Sequence, residues 1–125
     1  MRYRAKSIGL VGLAIALCGC GQALPPMAGA KWAAALRDPN ARVRRKAAFT
    51  LGNIGPSHAA VLPALVAALE DADGGVRCQA ILGLVKYGPA GRLAIPSLGR
   101  LQQKDPEIKV RQYAARAIEQ LSQTQ

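Results

Sequence analysis

Acidic residues are scarce in this sequence: its 125 residues include 7 Asp and Glu against 17 Lys and Arg, a formal net charge of +10. Histidine and cysteine are scarcer still, and one His with three Cys leaves little material for a zinc site. Aromatic residues make up only 4% of the chain. Half of the residues are nevertheless hydrophobic, which is too many for a disordered polybasic tail. Length and composition therefore predict one small folded domain.

The apolar run near the N-terminus is too short for a permanent transmembrane helix. It extends from Ile8 to Leu17, and ten helical residues span about 15 Å, roughly half the hydrocarbon thickness of a bilayer. Arg2, Arg4 and Lys6 precede this run. A basic start followed by a short apolar segment is typical of an export signal.

The apolar run ends in the tetrapeptide Leu-Cys-Gly-Cys, residues 17–20. This tetrapeptide resembles the lipobox of bacterial lipoproteins, which has an aliphatic residue three positions before the cysteine and a small residue directly before it. Cys20 fits that pattern, whereas Cys18 follows a bulky leucine. The resemblance implies a signal peptide over residues 1–19, cleavage before Cys20, and a thioether-linked diacylglycerol on its sulfur. Cleavage at an earlier small residue and an uncleaved anchor are the alternatives.

The residues after Cys20 bear on the location of the protein. Gly21 follows the cysteine, whereas an Asp there is the usual signal for retention in the inner membrane of enteric bacteria. The resemblance therefore implies the periplasmic side of the outer membrane if the host is Gram-negative. Residues 20–27 are predicted to form a tether, because Pro25 and Pro26 forbid a helix.

Residues 28–125 are periodic. An offset of 33 residues aligns a first copy with a second, and an offset of 34 aligns the second with a third. In each copy the apolar residues recur at steps of four, four and three, which describes one face of an α-helix. The aligned apolar residues are Val43, Ala47, Leu51 and Ile54; Val76, Ala80, Leu84 and Tyr87; and Val110, Ala114, Ile118 and Leu121.

Each periodic helix belongs to a predicted hairpin. Gly55 and Gly88 stand where a left-handed residue ends a helix, and the proline after each cannot continue it. A shorter apolar stretch precedes each of the three helices. The sequence therefore predicts an all-α solenoid of three helical hairpins with six helices, at about residues 28–55, 56–88 and 89–122.

The hairpin pattern resembles the HEAT repeat, and more narrowly the short HEAT-like repeat of phycobilisome lyase subunits. The resemblance rests on Asp-Pro at the turn, Val-Arg at the start of the second helix, Ala at its centre and Gly-Pro at its end. Residues 38–44 and 105–111 carry it best, whereas the middle copy has two glycines, Gly74 and Gly75, at its turn. They are expected to weaken the start of that helix by about 1 kcal/mol.

The resemblance also implies a structural ladder, in which the Arg of Val-Arg binds the turn Asp of its own or the next unit. The matching residues are Asp38, Arg44, Asp71, Arg77, Asp105 and Arg111. A ligand site is the alternative, but a position that recurs in every unit serves stacking more naturally than one unique site. Trp32 occupies a repeated core position and is expected to close the open end of the stack, or else to anchor a partner.

Other basic residues suggest a positive surface that serves either solubility or an anionic partner. The candidates are Arg37, Arg42, Arg45, Lys46 and Lys109. An anionic lipid or an acidic protein would suit such a surface, whereas export disfavours nucleic acid.

No motif for catalysis, metal or cofactor binding is found, so the sequence predicts neither an enzyme nor a cofactor. With Cys18 removed and Cys20 lipidated, Cys78 would stand alone. Its helical setting favours a small buried hydrophobe over an interchain disulfide or a metal ligand. The resulting prediction is a lipid-anchored HEAT-repeat scaffold or adaptor that binds a protein partner at the bacterial cell envelope. The alternatives are a bilin lyase-like subunit, implied by the resemblance, and a structural spacer.

Overall fold

The computed structural model describes residues 27–55 and 60–124 of the chain. The predicted signal peptide, Cys20 and the lone histidine, His58, lie outside these residues. The described backbone forms six α-helices and one 3-10 helix. The α-helices are α1 (Met27–Ala35), α2 (Ala41–Ile54), α3 (Val61–Ala68), α4 (Gly74–Lys86), α5 (Ile95–Lys104) and α6 (Ile108–Gln123).

Consecutive helices pair into three hairpins that stack in chain order. The second helices form one layer, in which α4 lies between α2 and α6. The first helices pack against their own partners, and α1 also contacts α3. This arrangement confirms the predicted all-α solenoid of helical hairpins. None of the helices in the described part of the chain is both long and apolar enough to cross a membrane.

Side chains at the hairpin turns fix where the first two second helices begin. The Asn40 side chain accepts a hydrogen bond from the Arg42 backbone N–H at 2.9 Å, and Asp73 accepts one from Val76 N–H at 3.0 Å. Each bond satisfies a backbone donor that the first turn of a helix leaves unpaired. Helix α4 thus begins at Gly74 in spite of its two adjacent glycines.

The two predicted helix ends contain left-handed glycines, as expected. The φ angle is 94° at Gly55 and 59° at Gly88, a region that only glycine adopts without strain. The second end differs from the simple turn that the sequence predicts, because a 3-10 helix at Gly88–Ala94 connects α4 to α5. Pro89 cannot continue an α-helix but fits the first turn of this tighter one.

The core follows the predicted periodicity, with exceptions at the two ends of the stack. All four predicted positions of α4 are buried, from Val76 to Tyr87. Val43 and Ile54 in α2 and Ile118 in α6 are only half-buried. Helix α4 has a neighbour on both sides, whereas α2 and α6 each have one, so these exceptions lie where the stack ends within the described residues.

Helices α2 and α4 approach closely enough for their backbones to touch. A Cβ atom built on Gly52 would lie 2.8 Å from Gly83 Cα, and one built on Gly83 would lie 3.0 Å from Gly52 Cα. Real Cβ atoms are not found at such distances from another backbone, so glycine at Gly52 sets the spacing of the first two units.

We expect Gly52→Ala to destabilise the fold by about 1–3 kcal/mol, because the added methyl forces two packed helices apart. The matched control is Gly99→Ala in α5, where an added Cβ would meet nothing within 4 Å. That change should stabilise the protein by about 0.5–1 kcal/mol through helix propensity. Chemical denaturation followed by circular dichroism measures both. Equal effects of the two substitutions would contradict the backbone contact.

Candidate interaction surface

The turn between α1 and α2 is joined to the next turn by Arg44. Its Nη1 donates to the Asp38 carbonyl at 2.8 Å and to the Pro39 carbonyl at 3.1 Å. Its Nε and Nη2 donate to the two carboxylate oxygens of Asp71 in the second unit, at 2.9 and 3.2 Å. The guanidinium thus binds its own turn through one edge and the next unit through the other, in the bidentate geometry that arginine favours.

Arg77 repeats this arrangement one unit further on and is more deeply buried. Its Nη1 donates to the carbonyls of Asp71 and Ala72 at 2.7 and 3.1 Å. Its Nε and Nη2 donate to the Asp105 carboxylate at 2.8 and 3.0 Å. The side chains of Arg77 and Asp105 are only 8% and 2% exposed, so this pair is held away from water.

The third arginine, Arg111, makes only the first half of the pattern. Its Nη1 donates to the Asp105 carbonyl at 2.6 Å. No carboxylate among residues 27–55 and 60–124 forms an ion pair with it. The other end of the ladder is open in the complementary sense, because the Asp38 carboxylate accepts the Asn40 N–H at 2.8 Å but has no arginine partner in the same part of the chain.

A second set of ion pairs lies beside the ladder at the start of α4. Arg45 Nη2 lies 3.1 Å from Asp73 Oδ2, and Arg77 Nη2 lies 3.8 Å from Glu107 Oε1. The hydrogen bond from Arg45 lowers the pKa of the Asp73 carboxyl, which therefore stays ionised to lower pH than a free aspartate. The side chains of Arg45 and Glu107 occupy the space that Gly74 and Gly75 leave open.

Cys78 is buried below these pairs. It lines a cleft of about 270 Å³ together with Arg45 and Lys109, so the structure brings these two predicted basic residues to one place. Burial raises the pKa of the Cys78 thiol, which keeps it protonated near neutral pH. No group of three His, Cys, Asp or Glu side chains that could hold a metal ion occurs in the described residues.

Acidic and basic residues are segregated in this structure. Six of the seven acidic residues lie in the three hairpin turns, at positions 36–40, 69–73 and 105–107. Glu119 is the exception and lies in α6. Basic residues, by contrast, are spread along the second helices. Outside the turns, these helices therefore present a positive surface with little acidic compensation.

That surface also contains exposed apolar side chains. Phe49 of α2 is 53% exposed and Leu82 of α4 is 37% exposed. The repeat offsets align Phe49 with Leu82 and then with Arg116 of α6, so the three occupy the same place in successive units. Lys86 Nζ lies 5.6 Å from the Phe49 ring centroid and donates to Asn53 Oδ1 at 2.8 Å. We call Arg45, Phe49, Leu82, Lys86 and Arg116 the second-helix face.

The other predicted basic residues are distributed more widely. Arg37 lines a groove between α1 and α3, so it does not belong to the second-helix face. Arg42 and Lys46 are exposed on α2, and Lys46 Nζ lies 6.0 Å from the centroid of the half-buried Trp32 ring. Trp32 packs against the core at the N-terminal end of the stack. The predicted basic residues thus form no single patch.

Sequence reasoning did not select Phe49, Leu82 or Lys86 as site residues. A signal was present, since Phe49 and Leu82 align at the offset of 33 but fall outside the buried helical stripe. An apolar residue repeated outside that stripe indicates an exposed apolar position.

The fold and the Arg–Asp ladder define a helical repeat protein whose successive units bind one another through their turns. A family model described as HEAT repeats matches residues 29–119, so the chain belongs to the HEAT-repeat family. Repeats of this family generally mediate protein–protein interactions. No curated protein matches the sequence.

We expect the ladder aspartates to differ in their contribution to stability according to burial. Asp105→Ala leaves the buried guanidinium of Arg77 without its carboxylate and should cost about 3–5 kcal/mol. Asp38→Ala occupies the same repeat position but removes only the bond to Asn40 N–H, so it should cost about 1 kcal/mol. Denaturant unfolding of both variants measures the difference, and equal losses would contradict the ladder as an inter-unit contact.

Proposed function

We propose that this protein is a non-catalytic scaffold, attached to a bacterial membrane through lipid on Cys20, that binds an acidic partner protein through the second-helix face. The observation that carries the proposal is the exposure of Phe49 and Leu82 in successive units, flanked by Arg45 and Lys86. An apolar anchor surrounded by cations suits a protein surface that offers an apolar side chain among carboxylates.

The charge distribution supports an acidic partner. Arg44 and Arg77 are neutralised within the ladder, whereas Lys86 and Arg116 have no ion pair among the described residues. Such cations accelerate the encounter with a negatively charged protein and disfavour a basic one. The HEAT-repeat family supports a protein ligand in preference to a small molecule.

Membrane attachment is inferred from the N-terminal sequence alone. The basic start, the short apolar run and Cys20 in its lipobox-like setting support it. A lipoprotein anchor supplies at least two acyl chains, which is enough for stable attachment. The partner would then belong to the cell envelope.

The partner-binding surface can be tested by photo-crosslinking in cells, with a photoreactive phenylalanine in place of Leu82. We expect a specific protein adduct, and no such adduct when the probe replaces the exposed Gln102 on α5. Phe49→Ala should reduce the adduct at least about tenfold, because truncation of an aromatic anchor removes a large share of binding energy. Leu93→Ala is the matched control, since Leu93 is equally exposed but lies on the 3-10 helix.

Equal adduct yields at positions 82 and 102, or an equal loss with Leu93→Ala, would exclude the second-helix face as the binding surface. An adduct with lipid and with no protein would favour the anionic-lipid hypothesis instead. Raised salt concentration should weaken a genuine adduct, because the flanking charges are exposed to solvent.

Lipidation is tested separately by mass spectrometry of the protein from membranes. The native chain should begin with an acylated Cys20, and Cys20→Ala should remain unprocessed. Cys18→Ala is the matched control and should be processed as the native chain is. A native chain that retains Met1, or that is cleaved elsewhere without lipid, would remove the membrane anchor from the proposal and leave the binding surface to be judged on its own test.

A further inference from the structure

The two ends of the Arg–Asp ladder are complementary to each other. At the C-terminal end, the Arg111 guanidinium is held by the Asp105 carbonyl, as the Arg44 and Arg77 guanidinium groups are held by their own turns. In those two cases the Nε and Nη2 atoms bind the turn aspartate of the following unit. The geometry of Arg111 therefore presents an oriented receptor for a turn aspartate.

At the N-terminal end, Asp38 presents such an aspartate. Its Oδ1 accepts the N–H of the residue two positions later at 2.8 Å. Asp71 and Asp105 accept the equivalent bonds at 2.9 Å each, and both also bind an arginine of the unit before. Asp38 thus has the turn geometry of the other two without an ion pair in the described residues.

Apolar positions at the N-terminal end also lack the cover that they have inside the stack. Val43 is half-buried, whereas its equivalents Val76 and Val110 are fully buried. Ile54 is half-buried, whereas its equivalents Tyr87 and Leu121 are buried. Within the stack, the preceding unit covers these positions.

The C-terminal end shows the corresponding loss on its opposite side. Ile118 of α6 is half-buried, whereas its equivalents Leu51 and Leu84 have no exposed area. Ala115 is likewise half-buried, and its equivalent Ala48 is fully buried. Within the stack, the following unit covers these positions. Each end of the chain therefore exposes what the other end would cover.

We propose that copies of this chain associate head to tail, with Arg111 of one copy bound to Asp38 of the next. The junction continues the stack of units, so its partner is a second copy, and both halves of it are present on one chain. Because the two surfaces differ, the contact is heterologous and leaves both outer ends free for further copies. The repeat offsets place Thr50 and Glu119 at the positions that Gly83 and Gly52 occupy between the first two units.

The test is disulfide crosslinking of the full chain in the cells that produce it. The variant with Thr50→Cys and Glu119→Cys should form dimers and higher species on mild oxidation. Either substitution alone should give no more than the background from the native cysteines. Adding Arg111→Asp should reduce the crosslinked product about tenfold, because two aspartates then face each other. Adding Asp38→Arg as well should restore it.

A mixing experiment guards against a folding defect. One chain carries Asp38→Arg and Glu119→Cys, and the other carries Arg111→Asp and Thr50→Cys. Only the native Arg111–Asp38 junction brings their two cysteines together, so co-expression should give a 1:1 heterodimer and no larger species. Each chain alone should remain at background.

The proposal is overturned if the two chains give no heterodimer together, or if either alone gives as much dimer as the mixture. It is also overturned if Arg111→Asp removes an adduct with another protein while the double-cysteine chain forms no crosslink to itself, since Arg111 would then bind a partner's carboxylate. Neither result bears on the second-helix face, which has its own test.

Discussion

The bidentate contact between Arg77 and Asp105 is the interaction on which the arrangement of the units depends. One planar group joins the backbone carbonyls of the second turn to the carboxylate of the third, at distances of 2.7 to 3.1 Å. Burial of that pair allows little freedom, because a displaced guanidinium would remain without a partner in a poorly solvated place. The ladder therefore fixes the position of one unit on the next, while the apolar faces of the helices supply most of the favourable free energy.

This division of roles explains what the sequence could predict. The recurrence of apolar residues at helical steps identified the six helices and the stack, because burial of one stripe per helix is a local property of the chain. The partner of each ladder arginine could not be identified in the same way. Arg44 is as close in sequence to Asp38 as Arg77 is to Asp71, and only the packing of the units shows that the side-chain pair is made with the following turn.

The close contact between Gly52 and Gly83 escaped sequence reasoning for a related reason. The two glycines are not equivalent positions of the repeat, since Gly52 aligns with Val85 and Gly83 aligns with Thr50. A comparison of copies highlights what recurs, and this contact occurs between different positions of neighbouring helices. The 3-10 helix at Gly88–Ala94 was missed because its Gly-Pro start matches the end of the first unit, while the connection that follows differs.

The segregation of charge follows from the ladder and bears on function. Turn aspartates are needed to bind the ladder arginines and to accept backbone N–H bonds, so most of the acidic residues are used there. Their negative charge is balanced within the turns, and the basic residues of the helices remain uncompensated. A net positive second-helix face is thus partly a consequence of how the units are held together. What is not explained by that requirement is the exposure of Phe49 and Leu82, because neither side chain is needed for the ladder or the core. Exposed apolar groups at equivalent places in adjacent units favour recognition over solubility as the role of this face.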